Sequence, residues 1–214
     1  MLKKKKISVV FIDWDDTLFP TTWINKNNIN IKNIKNYKVF IKLDQYIFML
    51  LNQIKKKCHI VIVTNALKKW IENCISLLPQ TKGLICTHSV NSDNNCKNKI
   101  NVISARENYQ QIYASPIDWK IHTFKKLINK YEKKFIFKKI ISIGDSIAEY
   151  IALIKLYKPE NKFKLKTIKF IDPSIYTHEK SYKFIFDQIK VIFNNFDIIE
   201  SENKNKDLLF ILNN

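Results

Sequence analysis

Ile7-Ser8-Val9-Val10-Phe11-Ile12-Asp13-Trp14-Asp15-Asp16-Thr17-Leu18-Phe19 is the stretch that decides the fold. A short apolar run rich in β-branched residues ends abruptly in three carboxylates and a threonine. The run reads as a strand buried on both faces, as in a parallel sheet covered by helices. The acidic cluster then falls at the carboxyl end of the strand, where open α/β sheets place their ligand sites. Carboxylates this close repel one another unless a hard cation such as Mg²⁺ neutralises them.

Strands and helices alternate on either side of the pattern. Residues 20–37, rich in Asn and Lys, read as a loop or flap. Residues 38–56 place Phe40, Leu43, Ile47, Leu50, Leu51 and Ile54 at helical spacing. Residues 59–63 form a second buried strand that ends at Thr64-Asn65. An amphipathic helix over 67–78 is stopped by Pro79. Residues 80–99 are less regular, with a short strand over 84–86 and a loop over 92–95. A strand follows at 100–104, and Ser115-Pro116 opens a helix. Residues 139–143 form a strand ending at Gly144-Asp145-Ser146, and the helix behind it turns Ile147, Tyr150, Ile151 and Ile154 inward. A strand over 165–171, a helix over 177–196 and a last strand over 208–212 complete the chain. The alternation predicts an α/β, Rossmann-like three-layer αβα sandwich with a mostly parallel sheet of about five strands. With no repeat and no Pro/Gly/Ser-rich linker, residues 1–214 read as one domain.

The chain has 214 residues, 46% of them hydrophobic, enough for a sizeable core. No apolar run approaches the ~20 residues of a membrane span. The start, Met1-Leu2-Lys3-Lys4-Lys5-Lys6, resembles the charged part of a signal peptide. The apolar stretch behind it meets Asp13 after six residues, too short for an export signal. Cys58, Cys74, Cys86 and Cys96 form no C-x-x-C pair, and no His stands at zinc-finger spacing. They read as reduced thiols, and the protein as cytoplasmic. A net charge of +18 invites a nucleic-acid partner. Of the 37 basic residues, however, only Arg106 is arginine, the side chain whose planar fork grips phosphate. Abundant Lys, Asn and Ile beside 2 glycines point to compositional drift, and nucleic acid is not the favoured partner.

Three polar stations share one address. Asp13 with Asp15, then Thr64, then Asp145 each follow directly on a buried strand, and parallel strands put their carboxyl ends on one edge. In this the sequence resembles the haloacid dehalogenase-like (HAD) hydrolase superfamily. Asp13-Trp14-Asp15-Asp16-Thr17 matches the first motif, Thr64 the second, Lys120 the third and Gly144-Asp145 with Glu149 the fourth. Lys125 and Lys126 are rivals of Lys120 for the third.

The resemblance implies a Mg²⁺-dependent phosphatase acting through an aspartyl-phosphate, on a phosphorylated small molecule, protein or nucleic-acid end. Asp13 would be the nucleophile, and Asp15 would protonate the leaving oxygen and then activate water. Asp13, the Asp15 carbonyl, Asp145 and Glu149 would serve the metal. Lys120 would offset charge, and Thr64 with Asn65 would bind phosphoryl oxygens. An aspartate at 15 separates phosphatases and phosphomutases from dehalogenases and ion pumps. The gaps at 20–37 and 106–119 are too short for a large cap, so the site is capless or minimally capped. The alternatives are a phosphotransferase or phosphomutase on the same fold, or a non-catalytic binding module with a basic surface. Among the other polar residues, Asp16 reads as a turn or helix cap, Thr17 as a hydrogen-bonder under the loop and Ser146 as an N-cap.

Overall fold

A computed structural model describes residues 4–31, 38–87, 96, 98–172 and 181–209. Seven strands form one sheet in the order β3-β4-β2-β1-β5-β6-β7, and every pairing is parallel. The strands are β1 (Lys5–Ile12), β2 (Cys58–Thr64), β3 (Ile85–Cys86), β4 (Ile100–Ser104), β5 (Phe135–Gly144), β6 (Lys164–Lys169) and β7 (Lys206–Leu209). The helices are α1 (Thr21–Lys26), α2 (Lys38–Lys57), α3 (Lys68–Ile75), α4 (Pro79–Leu84), α5 (Ala105–Tyr109), α6 (Pro116–Glu132), α7 (Ile147–Ile154) and α8 (Ser181–Ser201). The count rises from about five to seven because the short strand read at 84–86 and the last strand, which begins at Lys206 rather than at 208, both join the sheet at its edges as β3 and β7.

The period of two along each strand sends side chains to two cores. Val10, Ile12, Ile60, Ile62, Ile141 and Ile143 pack with α2, α3 and α8. Val9, Phe11, Val61, Val63 and Ile140 pack with α6 and α7. All six apolar residues that the spacing placed on the inner face of α2 are buried. Each contributes about 1.5–3 kcal/mol by leaving water.

This topology creates the crevice. From β1 the chain moves outward through β2 to the β3 edge, then returns to β5 on the other side of β1. The helix after β1 covers one face and the helix after β5 the other, so the two following loops diverge. Ligands of open α/β sheets bind at such a reversal.

Four expectations change. Within the 20–37 segment, residues 21–26 are helical, because Trp23 and Ile24 bury against the α2 core; residues 32–37 lie outside the described residues. Pro79 does more than follow α3: it opens α4 at a position where its missing N–H costs nothing. The buried Asp44 carboxylate of α2 accepts from the Gln80 and Thr81 amides at 2.8 Å each and so caps that helix from a distance. The loop expected over 92–95 lies outside the described residues.

The inner face of α7 is also not the expected one. Ile147 and Ile154 are exposed, while Ala148, Glu149, Ala152 and Leu153 are buried. The N-terminal cap sets the phase: Ser146 accepts from the Ala148 amide, and Glu149 reaches back to the Ser146 amide. Finally, Cys86 and Cys96 are joined in a disulfide, and only Cys58 and Cys74 are free among the described residues. The sheet brings β3 beside the start of β4, which puts the two Cα atoms 5.5 Å apart. Cysteine usage therefore gives no argument for a reducing compartment. No helix among the described residues is long and apolar enough to cross a membrane.

Candidate active site

The loop after β1 is built to turn sharply. The Asp13 amide donates to the Ile143 carbonyl at 2.9 Å, extending the β1–β5 ladder by one step. The Leu18 and Phe19 amides both return to the Trp14 carbonyl at 2.9 Å. Asp16 takes a left-handed φ of 53°, a conformation Asp tolerates better than most residues. Its carboxylate accepts from the Thr22 amide at 2.9 Å and the Thr22 hydroxyl at 2.6 Å, so it caps the start of α1. Burial pushes its carboxyl up to about 6.

Asp13 faces inward and is 6% exposed. Lys120, 1% exposed on α6, brings its ammonium 3.0 Å from Asp13 Oδ1. The same ammonium ion-pairs with Glu149 of α7. Lys125 and Lys126, the rivals of Lys120 in the sequence, are exposed on the outer face of α6. Asp13, Asp145 and Glu149 each bring an oxygen within 4.8 Å of the others. Burial first, then the charges of Asp13 and Asp16, push the Asp145 carboxyl up to about 8. An all-oxygen donor set suits a hard divalent cation, and so does the mutual repulsion of these carboxylates, which adds to burial in raising Asp145.

Asp15 points elsewhere. Its Oδ1 accepts from the Thr21 hydroxyl at 2.5 Å and from the Trp70 indole N–H at 2.9 Å. Burial and the neighbouring Asp13 charge raise its carboxyl above the ordinary range, against those two hydrogen bonds. The carboxylate cluster of Asp13, Asp145 and Glu149 does not include the Asp15 carboxylate. Thr64, fully buried at the end of β2, accepts from the Ala66 amide at 3.0 Å. Asn65 donates to the Pro116 carbonyl at 3.2 Å, and its Oδ1 is buried without a hydrogen-bond partner.

Gly144 has a steric reason to be glycine. A Cβ there would stand 2.5–2.8 Å from the Glu149 side chain, closer than real Cβ contacts. Residues 8–110, β1 through α5 and just under half of the chain, match the model of the NLI interacting factor-like phosphatase family.

The chain belongs to the HAD-like superfamily.

It is a HAD-like hydrolase of the phosphatase type. No curated protein and no solved structure matches it. The matched segment holds the Asp13, Asp15 and Thr64 stations of this HAD-like chain, and tertiary folding brings Lys120, Asp145 and Glu149 to Asp13 from outside it. Some site contacts had no sequence signal. Trp70 reads as a packing residue at helical spacing, yet its N–H reaches Asp15. Thr21 falls in the segment read as a flap. Lys169, at the end of β6, donates to the Asp145 carbonyl and, at 3.2 Å, to the Phe170 carbonyl. Arg106, the single arginine of the chain, donates to Gln110 at 3.0 Å on the exposed side of α5.

Proposed function

We propose that the protein is a Mg²⁺-dependent phosphomonoesterase in which Asp13 attacks phosphorus and forms an aspartyl-phosphate. The observation that carries this reading is the surroundings of Asp13, which has the Lys120 ammonium at 3.0 Å and oxygens of Asp145 and Glu149 within 4.8 Å. Asp13, Asp145 and the Asp15 carbonyl would hold the metal, with Glu149 behind them. When bound, Mg²⁺ offsets charge on the phosphoryl oxygens. The Lys120 ammonium, 3.0 Å from Asp13 Oδ1, orients that carboxylate for in-line attack. Asp15, with Oδ1 held by Thr21 and Trp70, carries its proton on the other oxygen and delivers it to the leaving alcohol. It then takes a proton from the water that cleaves the acyl-phosphate. The Thr64 hydroxyl and the Asn65 amide bind the transferred group.

A phosphorylated protein is the substrate class we favour, by similarity to the NLI interacting factor-like phosphatases and because the gaps at 20–37 and 106–119 leave no room for a large cap. The test is hydrolysis of an aryl phosphate and of serine and threonine phosphopeptides, with and without Mg²⁺. Turnover is expected only with the metal, and Asp13→Asn should lower it by roughly three orders of magnitude or more. Metal-independent turnover, or turnover that survives Asp13→Asn, would overturn the mechanism.

A further inference from the structure

At the amino-terminal end of the sheet, opposite Asp13, lies a concavity of about 1010 Å³. Among the described residues, seven lysines and one carboxylate, Glu200, line it. Glu200 is already engaged, accepting from Ser8 at 2.8 Å and pairing with Lys139 at 3.5 Å. Lys57 is paired with Asp197 at 2.8 Å. The other six, Lys5, Lys6, Lys55, Lys56, Lys99 and Lys138, have no ion-pair partner among the described residues.

These six come from four separate parts of the chain: the start of β1, the end of α2, the turn before β4, and β5. Lysines in the last turn of α2 favour its dipole, which accounts for Lys55 and Lys56 alone. Lys138 owes its position to a bulge. Ile7 pairs with Phe137 and Ser8 with Lys139, so Lys138 is the extra residue of β5, exposed at the groove. A lysine-rich composition scatters ammonium groups over every convex face. Here they surround a concavity walled by Cys58, Ile60, Ile100 and Phe135, and low-dielectric walls focus the field of like charges.

We propose that this groove docks an acidic, unstructured protein segment. Ammonium groups are point charges that neutralise carboxylates without demanding a fixed geometry. Such a segment brings many carboxylates at low cost in its own folding preference. A single-stranded nucleic acid fits less well. Among the described residues the groove has no arginine, tyrosine or tryptophan; its rings are half-buried Phe135 and His59, and His59 is already packed edge-on against Tyr131, so no open run of stacking faces is offered. Along β1 the groove lies roughly 25 Å from Asp13. Docking therefore stands apart from the reaction at Asp13, and its measurement needs no hydrolysis.

The experiment titrates the full chain into a dye-labelled oligoglutamate peptide and follows fluorescence anisotropy across a range of salt. A single-stranded RNA of equal charge is run in parallel. Three proteins are compared: wild type, the groove variant Lys55→Glu/Lys56→Glu/Lys138→Glu, and a control with the same charge change elsewhere, Lys42→Glu/Lys125→Glu/Lys183→Glu. All six positions are exposed, and matched melting curves verify folding. The expected result is salt-sensitive peptide binding that the groove variant weakens about tenfold or more and the control by less than about threefold. Equal losses in both variants would show that binding follows net charge and overturn the groove. Failure of the peptide to bind, or RNA bound through the groove in preference to it, would also overturn the proposal.

Discussion

Thr17 and Asp145 hold each other in both directions. The Asp145 amide donates to the Thr17 hydroxyl at 3.0 Å, and that hydroxyl donates to Asp145 Oδ1 at 3.1 Å. One buried oxygen thus ties the loop after β1 to the loop after β5, across the line where the strand order reverses. Thr17→Val keeps the shape and removes both bonds, leaving the buried Asp145 amide unpaired. A loss of roughly 1–3 kcal/mol is expected in urea unfolding, with most of it retained in Thr17→Ser. A valine variant as stable as wild type would remove the hydroxyl from the account of the site.

Lys120 sits between two buried carboxylates. Lys120→Met leaves Asp13 and Glu149 without their shared ammonium, and removing one partner of a buried ion pair costs about 3–5 kcal/mol. Adding Glu149→Gln should recover part of the loss. Lys125→Met and Lys126→Met, at exposed positions, should stay within about 0.5 kcal/mol of wild type. Equal effects at all three lysines would contradict the geometry.

The carboxyls of the site give the metal-free protein a pH dependence with a definite sign. Asp145 is raised to about 8 from an ordinary 3.8, and Asp15 is raised in the same direction. The folded chain then holds protons that the unfolded chain has already released. Stability contributed by these groups falls as pH rises above about 4 and levels off above about 8. Burial lowers the His59 imidazole from 6.5, which gives an opposite slope below that value. The clean window is therefore about 6.5 to 8. Melting temperatures in EDTA should drop across it, and excess Mg²⁺ should flatten the drop, because a bound cation favours the ionised forms. A melting temperature in EDTA that rises across this window would overturn the prediction.

The Cys86–Cys96 disulfide closes a loop with a sequence separation of 10. Chain entropy assigns such a loop just under ~3 kcal/mol of stabilisation. Alkylation of the unfolded, non-reduced protein should label Cys58 and Cys74 alone, and prior reduction should bring the count to four. Four labels without reduction would mean that the chain does not carry the bond in the cell from which it was purified.

The sequence by itself determined the architecture and three addresses within it. Buried runs such as 7–12, 59–63 and 139–143 alternate with helical patterns, and a parallel sheet is the arrangement that covers both faces of such strands. Parallel strands end on one edge, and Asp13, Thr64 and Asp145 stand at the carboxyl ends of the parallel neighbours β1, β2 and β5, with Asp13 and Asp145 in one carboxylate cluster. Tertiary structure decided what depends on rotation and distance. Lys120 and Lys125 are five residues apart on one helix, and only the docking of α6 against the sheet turns one inward and the other to solvent. On α7 the inward face holds Glu149, with its cap bond and its ion pair, and leaves Ile147 and Ile154 exposed, against what the isoleucines suggested. Asp44 capping α4, Trp70 reaching Asp15, and lysines gathered from four segments into one groove are contacts between distant parts of the chain. Local periodicity carries no information about such contacts, since they exist only once the sheet has fixed which elements meet.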